Sequence, residues 1–244
     1  MKRIIFILFM VFTIPAVAQL QTTELYLTHY DNIKKWRFGF TLGGHIFDYA
    51  IINSEKPVFS DGAPLMAEVT QPGLGFNVNG LVDYRVVRNL HLRSGFGICF
   101  GQREIDFHKG KNGPVILASE YDSYYLEIPL SLKYSANRHS NVRPYFIVGA
   151  AARYNLSWKP NLAKNVVIGF KPFEPFYEGG FGFDWYFYYF KLSFEIKYSG
   201  GFSNLKTNNL IDDFRMSDGV TAHHFNDAIS KLNSRMLLFS FHFE

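Results

Sequence analysis

The feature that most constrains the fold is a two-residue alternation of apolar and polar side chains that recurs along the chain. From Trp36 to Leu42, every second residue is large and apolar, and the residues between are glycine or polar. Eight segments show this pattern: 36–48, 73–86, 90–103, 124–134, 143–155, 176–186, 189–199 and 237–243. This period is typical of β-strands whose two faces meet different surroundings. The chain is therefore predicted to be all-β.

The connections between these segments alternate between short and long. The short ones are 87–89, 136–142 and 187–188, and the long ones are 50–72, 104–120, 157–175 and 200–234. Short turns at one end and long loops at the other are typical of outer-membrane barrels, in which the short turns face the periplasm. We therefore expect an eight-stranded antiparallel transmembrane β-barrel, located in the cell outer membrane, with both termini periplasmic.

The composition of the two faces indicates which one meets lipid. The apolar faces are unbroken and draw on 26 Phe and 15 Tyr, whereas the polar faces carry glycines and ionisable groups of both signs. In a bilayer the apolar face turns outward and the polar face lines the interior. Five aromatic residues near predicted strand ends fit the girdles at the two membrane interfaces. They are Trp36, Tyr134, Tyr154, Trp185 and Tyr189.

The charged residues on the polar faces form the largest group of candidate functional residues. Buried charges must be paired, because an unpaired one costs several kcal/mol. We expect an interior ion-pair network that plugs the barrel, with a charged path for protons or ions as the alternative. The predicted network comprises Arg37, Asp83, Arg85, Arg93, Glu127, Lys133, Arg153, Glu178, Asp184, Lys191, Glu195 and Lys197.

Pro129 interrupts one of the predicted strands. Proline has no N–H to donate to a β-ladder, and a closed barrel has no edge at which that loss could face water. We therefore predict a strand break at Pro129, in the form of a bulge or bend that leaves a carbonyl unpaired on a neighbouring strand.

The N-terminus has the features of a secretory signal. A basic start at Lys2 and Arg3 is followed by an apolar run and the small-residue site Ala16-Val17-Ala18. The run is shorter than the ~20 residues that a membrane-spanning helix needs. We assign residues 1–18 to a signal peptide, 19–34 to a periplasmic segment and 35–244 to the barrel domain.

Several chemical functions find little support in the sequence. The net charge of +4 falls to +2 without the predicted signal, too small to indicate nucleic-acid binding. Cys99 is the single cysteine, which excludes a disulfide framework and a site built on several thiolates. The pair His223-His224 points two ways on an extended chain and would seldom share one metal ion. We predict no metal and no cofactor.

An enzymatic function is not predicted either. The chain has no G-x-S-x-G elbow after a strand, and its histidines are scattered over different segments. The glycine-rich stretches at 73–75 and 179–182 lie inside alternating segments and lack the helix and lysine of a phosphate loop. We therefore assign no catalytic residues and no small-molecule substrate.

The last long connection is more apolar than a solvated loop requires. It contains Leu210, Ile211, Phe214 and Met216. We predict that these residues contact a partner; the alternative is that the loop packs over the mouth of the barrel.

Four stretches of the sequence resemble a known family. They are YYLEIPLSLKY (124–134), RPYFIVGAAARY (143–154), GGFGFDWYFYYFKLSFEIKYSGGFSNL (179–205) and NSRMLLFSFHFE (233–244). They are similar to the PorT-type outer-membrane barrels of the type IX protein secretion system, and the similarity covers most of the chain after residue 18. The resemblance implies an integral outer-membrane protein needed for cargo export, assembled with other secretion components. It supplies no catalytic residues. A stand-alone surface-binding or adhesion barrel remains the alternative.

Overall fold

The computed structural model describes residues 25–27, 34–54, 56, 58–59, 62–69, 72–111, 113–160, 166, 168–210 and 220–244, with only the backbone described at 208–210. The predicted signal peptide and most of the predicted periplasmic segment lie outside these residues. Among the described residues, no helix is long and apolar enough to cross a membrane.

The described chain contains eleven strands and one short helix. In chain order they are β1 (Trp36–Asn53), β2 (Leu65–Glu68), β3 (Gly73–Val87), β4 (Leu90–Lys109), β5 (Val115–Ser135), β6 (Val142–Asn155), β7 (Ile168–Phe170), β8 (Phe173–Tyr186), β9 (Lys191–Gly201), β10 (Lys206–Leu210), α1 (Ala222–Ala228) and β11 (Ile229–Phe243).

Eight of these strands close into a barrel. Their order around the ring is β1-β3-β4-β5-β6-β8-β9-β11, with β11 returning to β1. Every neighbouring pair is antiparallel. Closure pairs the backbone groups of the ring with one another, which a sheet in lipid requires. The predicted eight-stranded antiparallel barrel is confirmed.

The two ends of the barrel differ. Short turns join β3 to β4, β5 to β6 and β8 to β9 at one end, which we call the turn end. The start of β1 at Trp36 and the end of β11 at Phe243 also lie there. At the opposite end β2, β7, β10, α1 and the outer parts of β4 and β5 form a structure that we call the cap.

The cap has its own apolar core. β7 pairs with β10, and β2 extends the sheet beside β4. The core is made of Tyr49, Leu65, Ala67, Ile105, Phe107, Leu117, Tyr121, Val166, Ile168, Phe170, Leu205, Val220, Ala222, Phe225, Ala228, Ile229 and Leu232. The connections at this end are therefore folded against one another over the mouth of the barrel.

The outer wall carries an apolar band. Phe38, Leu74 and Phe146 are 68, 76 and 70 % exposed, and the five aromatic residues predicted for the girdles are exposed as well. On β5 the band runs from Tyr124 to Tyr134. Ten residue steps of ~3.3 Å, tilted by about 40°, give a height of roughly 25 Å, which matches the apolar band of an outer-membrane barrel.

At Pro129 one ladder of the strand is interrupted, but the predicted bulge is absent. Pro129 keeps its register with Ala151 on β6, and β5 shows no bulge at this point. Only the ladder to β4 is interrupted: it lacks pairs at Gly95 and Phe96 and resumes in the same register on either side. The carbonyl of Pro129 accepts a hydrogen bond from Ser94 Oγ at 2.8 Å. A side-chain hydroxyl thus satisfies the Pro129 carbonyl at the point where the backbone ladder to β4 is interrupted.

Candidate functional site

The interior of the barrel is filled by charged and polar side chains, beginning with a cluster around Asp83 at the turn end. The Asp83 carboxylate lies 2.7 Å from His91 Nδ1, 3.3 Å from Arg93 and 3.8 Å from Arg37 Nε. All four side chains are buried. They come from β1, β3 and β4, whose registers set Arg37 opposite Asp83 and Asp83 opposite Arg93.

Glu244 connects this cluster to the other side of the barrel. Its carboxylate accepts hydrogen bonds from Arg93 at 2.9 Å and from Lys191 Nζ at 2.7 Å. Its backbone pairs with Lys191 in both directions. The side chain at this end of β11 is thus held inside the barrel by two cations.

A second group surrounds Asp184. Lys133 Nζ contacts both oxygens of Asp184, at 2.7 and 2.8 Å, and the Ser193 hydroxyl donates to it at 2.6 Å. The Lys133 ammonium also lies 3.7 Å from the ring centroid of Tyr145, whose hydroxyl donates to Glu195 at 3.0 Å. These contacts join β5, β6, β8 and β9 across the interior.

Arg153 organises the middle of the interior. Its guanidinium contacts Glu127 at 2.5 Å, Glu178 at 2.8 Å and the Ser199 hydroxyl at 2.8 Å. Lys197 approaches the second oxygen of Glu178 at 2.8 Å. Arg153 is fully buried, so its guanidinium loses its hydration on folding. Each of these contacts offsets part of that desolvation cost.

Arg103 forms the boundary between the interior and the cap. Its guanidinium lies between two aromatic rings, 3.9 Å from the centroid of Phe47 and 3.8 Å from that of Tyr49. Stacking of this kind is favourable for a desolvated arginine. Arg103 also donates to the hydroxyls of Tyr125 at 2.7 Å and Ser234 at 3.1 Å.

Glu174 completes this boundary. Its two oxygens accept hydrogen bonds from Tyr125 at 2.9 Å and from Ser234 at 3.0 Å. The two hydroxyls bridge the carboxylate to Arg103, so the ion pair is indirect. Four strands are thereby tied together beneath the core of the cap.

The structure places the residues of the predicted network as follows. Arg85 is half-buried at the turn end, and the other eleven side chains are buried in the interior. The interior also holds ionisable residues that the predicted network lacks, among them His45, His91, Arg103, Glu174, His242 and Glu244. The sequence pattern assigns Glu174 to a long connection, although it lies at every second position with Phe176 and Glu178 and so belongs to the same face. Glu244 follows the last predicted strand.

Little empty space remains between these groups. A cavity of about 30 Å³ lies between Asn79, Ser131, Glu195 and Ser240, among others. A water molecule needs ~10–15 Å³ of such volume, so this space accommodates about two. Among the described residues no group of three or more His, Cys, Asp or Glu could hold a metal ion. The arrangement favours a fixed, paired interior.

The predicted partner-contact loop is only partly described. The backbone of Leu210 pairs with Ile168 in the cap, whereas Ile211, Phe214 and Met216 lie outside the described residues. His224 lies on α1, and its Nδ1 accepts a hydrogen bond from the backbone N–H of Thr221 at 3.0 Å. That histidine therefore caps the start of its helix.

Three solved structures are similar to this chain at low sequence identity. OprG from Pseudomonas aeruginosa is 10 % identical, with a TM-score of 0.43 over 84 % of this chain and 92 % of that chain. Ail of Yersinia pestis is also 10 % identical (TM-score 0.36; 86 % and 99 %), and AlkL in lipid bilayers is 14 % identical (TM-score 0.37; 85 % and 91 %). No curated protein matches the sequence. The family model described as outer membrane protein beta-barrel domain matches residues 17–207. The chain therefore belongs to this family and is a protein of the cell outer membrane.

Proposed function

We propose that the protein is a component or accessory of the type IX protein secretion system, required for the export or maturation of secreted cargo. In this role it acts through its surfaces and does not conduct solutes. The observation that carries the second statement is the filled interior, with buried ion pairs from the turn end to Arg103 and an apolar core above them.

The resemblance to PorT-type barrels supports the first statement. The stretches that carry it lie on β5, β6, β8, β9 and β11, which form one continuous wall of the barrel. These strands contribute Glu127, Lys133, Arg153 and Asp184 to the interior network. The resemblance therefore covers both the lipid-facing and the interior residues of this wall.

The partners in this proposal are outer-membrane lipid and other secretion proteins. The apolar band meets lipid around the wall. The turn end and the cap remain as surfaces for other components, because the interior is closed. We propose no nucleic-acid partner and no enzymatic activity.

Deletion of the gene in the native organism tests the proposal. We expect cargo proteins to disappear from the medium and to return when the wild-type gene is supplied in trans. The Arg235→Met variant, which alters an exposed ion pair with Asp48, should restore secretion as well as the wild type. An unchanged set of secreted proteins in the deletion strain would remove this proposal.

A stand-alone barrel for surface binding or adhesion is the second candidate. The observation that favours it is the packed cap, which gives the long connections a fixed surface. Protease treatment of intact cells separates the two candidates. Under the adhesion reading, cleavage within the cap abolishes attachment of the cells and leaves cargo secretion normal.

A further inference from the structure

His45 is a buried histidine of the barrel interior that takes no part in the ion pairs described above. It lies on β1, is 3 % exposed, and neither of its ring nitrogens has a hydrogen-bond partner among the described residues. A buried polar group without a partner costs free energy, and a buried charge without one costs more. The surroundings of His45 therefore decide whether its ring can carry a proton.

The ring lies in a space that two glycines leave open. Gly75 and Gly101 face each other on β3 and β4, and Gly75 is also opposite His45. A Cβ on Gly75 would overlap His45 Nε2, and a Cβ on Gly101 would lie 3.3 Å from it. The Phe47 ring packs edge-to-face on the imidazole, with centroids 5.6 Å apart, and the neighbour on β11 is Leu238. These contacts supply no charge that could pair with a protonated ring.

The charged groups that act on His45 come from strands other than its own. They are Arg153 on β6, Glu127 on β5 and Arg103 on β4. Two of the three are cations, which repel a protonated imidazole. The Glu127 carboxylate already accepts a hydrogen bond from Arg153 at 2.5 Å. Asn77 on β3 is also near the ring, but its neutral amide does not compensate a charge.

The buried charges of the described chain are balanced without His45. The buried carboxylates equal the buried arginines and lysines in number. On β8 and β9, Glu178 and Lys197 are paired with each other at 2.8 Å. On β4, the Cys99 thiol donates a hydrogen bond to Glu127 at 3.4 Å. A proton on His45 would therefore add a positive charge for which no buried carboxylate is left.

We propose that His45 is an acid-sensitive element of the barrel, whose protonation weakens the packing of β1 on β3 and β4. The folded barrel keeps the imidazole neutral, because backbone and apolar groups fill the space around it. In the unfolded chain a histidine has its ordinary pKa of about 6.5. The unfolded state then binds a proton that the folded state does not, so stability falls as the pH falls below this value. The inference goes beyond the proposed function and does not depend on it.

Urea unfolding of the full-length barrel in lipid vesicles, at pH values of about 7.5 and about 5, tests this proposal. On acidification we expect the unfolding equilibrium constant of the wild type to rise, with roughly thirtyfold of the rise coming from His45. The His45→Leu variant has a side chain of similar size without a proton-binding group, and should lack that part of the rise. The His139→Gln variant alters an exposed histidine between β5 and β6 and should behave as the wild type does.

Heat-modifiable migration on gels verifies that the variants are folded, and His45→Gln is the second variant in case leucine prevents folding. NMR of the wild type with labelled histidine rings gives an independent measurement, in which the His45 signal should keep its neutral position down to about pH 5. Equal acid sensitivity of the wild type and the His45 variants would overturn the proposal, as would a His45 signal that titrates at about pH 6.5. Normal secretion by the deletion strain would remove the secretion role and leave these results unaffected.

Discussion

At the scale of the residue, the charges inside the barrel act in groups. Arg153 holds Glu127 and Glu178 together, and Arg93 contacts Asp83, Glu195 and Glu244. Arg153 on β6 contacts carboxylates on its two neighbouring strands, β5 and β8, whereas Arg93 on β4 reaches across the interior to Glu195 on β9 and to Glu244 after β11. Removing one partner of a buried pair leaves the other without compensation, which is more destabilising than the loss of an exposed pair.

The Arg153→Met variant tests this difference. It leaves Glu127 and Glu178 buried beside an apolar side chain, and we expect the free energy of unfolding to fall by about 3–5 kcal/mol. Urea unfolding in lipid vesicles, followed by tryptophan fluorescence, measures the change. The matched control is Arg235→Met, whose pair with Asp48 is exposed and should contribute less than ~1 kcal/mol. Equal effects of the two substitutions would contradict the role given to burial.

Glycines on the interior face make room for the network. A Cβ on Gly149 would lie 2.3 Å from the Leu130 carbonyl oxygen and 2.6 Å from Ser131 Cα, whereas a Cβ on Gly179 would meet nothing within 4 Å. We expect Gly149→Ala to lower the free energy of unfolding by about 1–3 kcal/mol through overpacking. Gly179→Ala should leave it within about 1 kcal/mol. The same unfolding assay measures both changes. An unchanged free energy of unfolding in Gly149→Ala would show that the interior is packed less tightly than described.

At the scale of the element, the alternation pattern predicted the strands within the membrane better than those outside it. From Trp36 to Leu42 and from Tyr124 to Tyr134, the apolar face points to lipid, and the structure agrees. Above the band the pattern inverts: Ile105 and Phe107 point inward, and Glu104 and Glu120 face water. A prediction based on apolar residues on the outer face of the barrel therefore assigns residues 104–120 to a loop. In the structure, β4 and β5 continue through most of these residues.

The interior network was predictable to the extent that its residues lay on recognised strands. The interior positions of Arg37, Glu127 and Lys133 follow directly from the alternation of apolar and polar residues around them. Which carboxylate faces which cation depends on strand order and register, which a single sequence does not contain. Glu244 pairs with Arg93, 151 positions away in the chain. The ladder at Pro129 likewise depends on Ser94, a side chain on another strand.

The cap should respond to substitution separately from the barrel. Phe225 on α1 is fully buried and packs edge-to-face on Phe107, with ring centroids 4.9 Å apart. Phe225→Ala removes a core side chain, and we expect the cap to lose about 3–5 kcal/mol of stability. Limited proteolysis should then cut within 201–228 at low protease concentrations while the strands of the ring stay intact. Lys231→Ala, at an exposed position on β11, is the control and should cleave as the wild type does.

At the scale of the whole molecule, the protein is a barrel whose interior is filled by side chains. The wall satisfies its backbone and presents an apolar band to lipid, paired charges occupy the interior, and an apolar cap lies over one mouth. A small barrel has room inside for side chains and little else. Its function in the membrane is therefore expected at its surfaces, where the secretion role is proposed.

Electrical recording from the purified protein in planar lipid bilayers tests this closed interior most directly. Because the ion pairs are buried and the cavity between them is small, we expect no stable unitary conductance at moderate voltages. An open porin of known conductance, reconstituted in the same lipid, serves as the positive control. We predict that a bilayer shown to contain the folded protein carries no unitary currents. Stable, large unitary currents from the pure wild-type protein would contradict the closed interior.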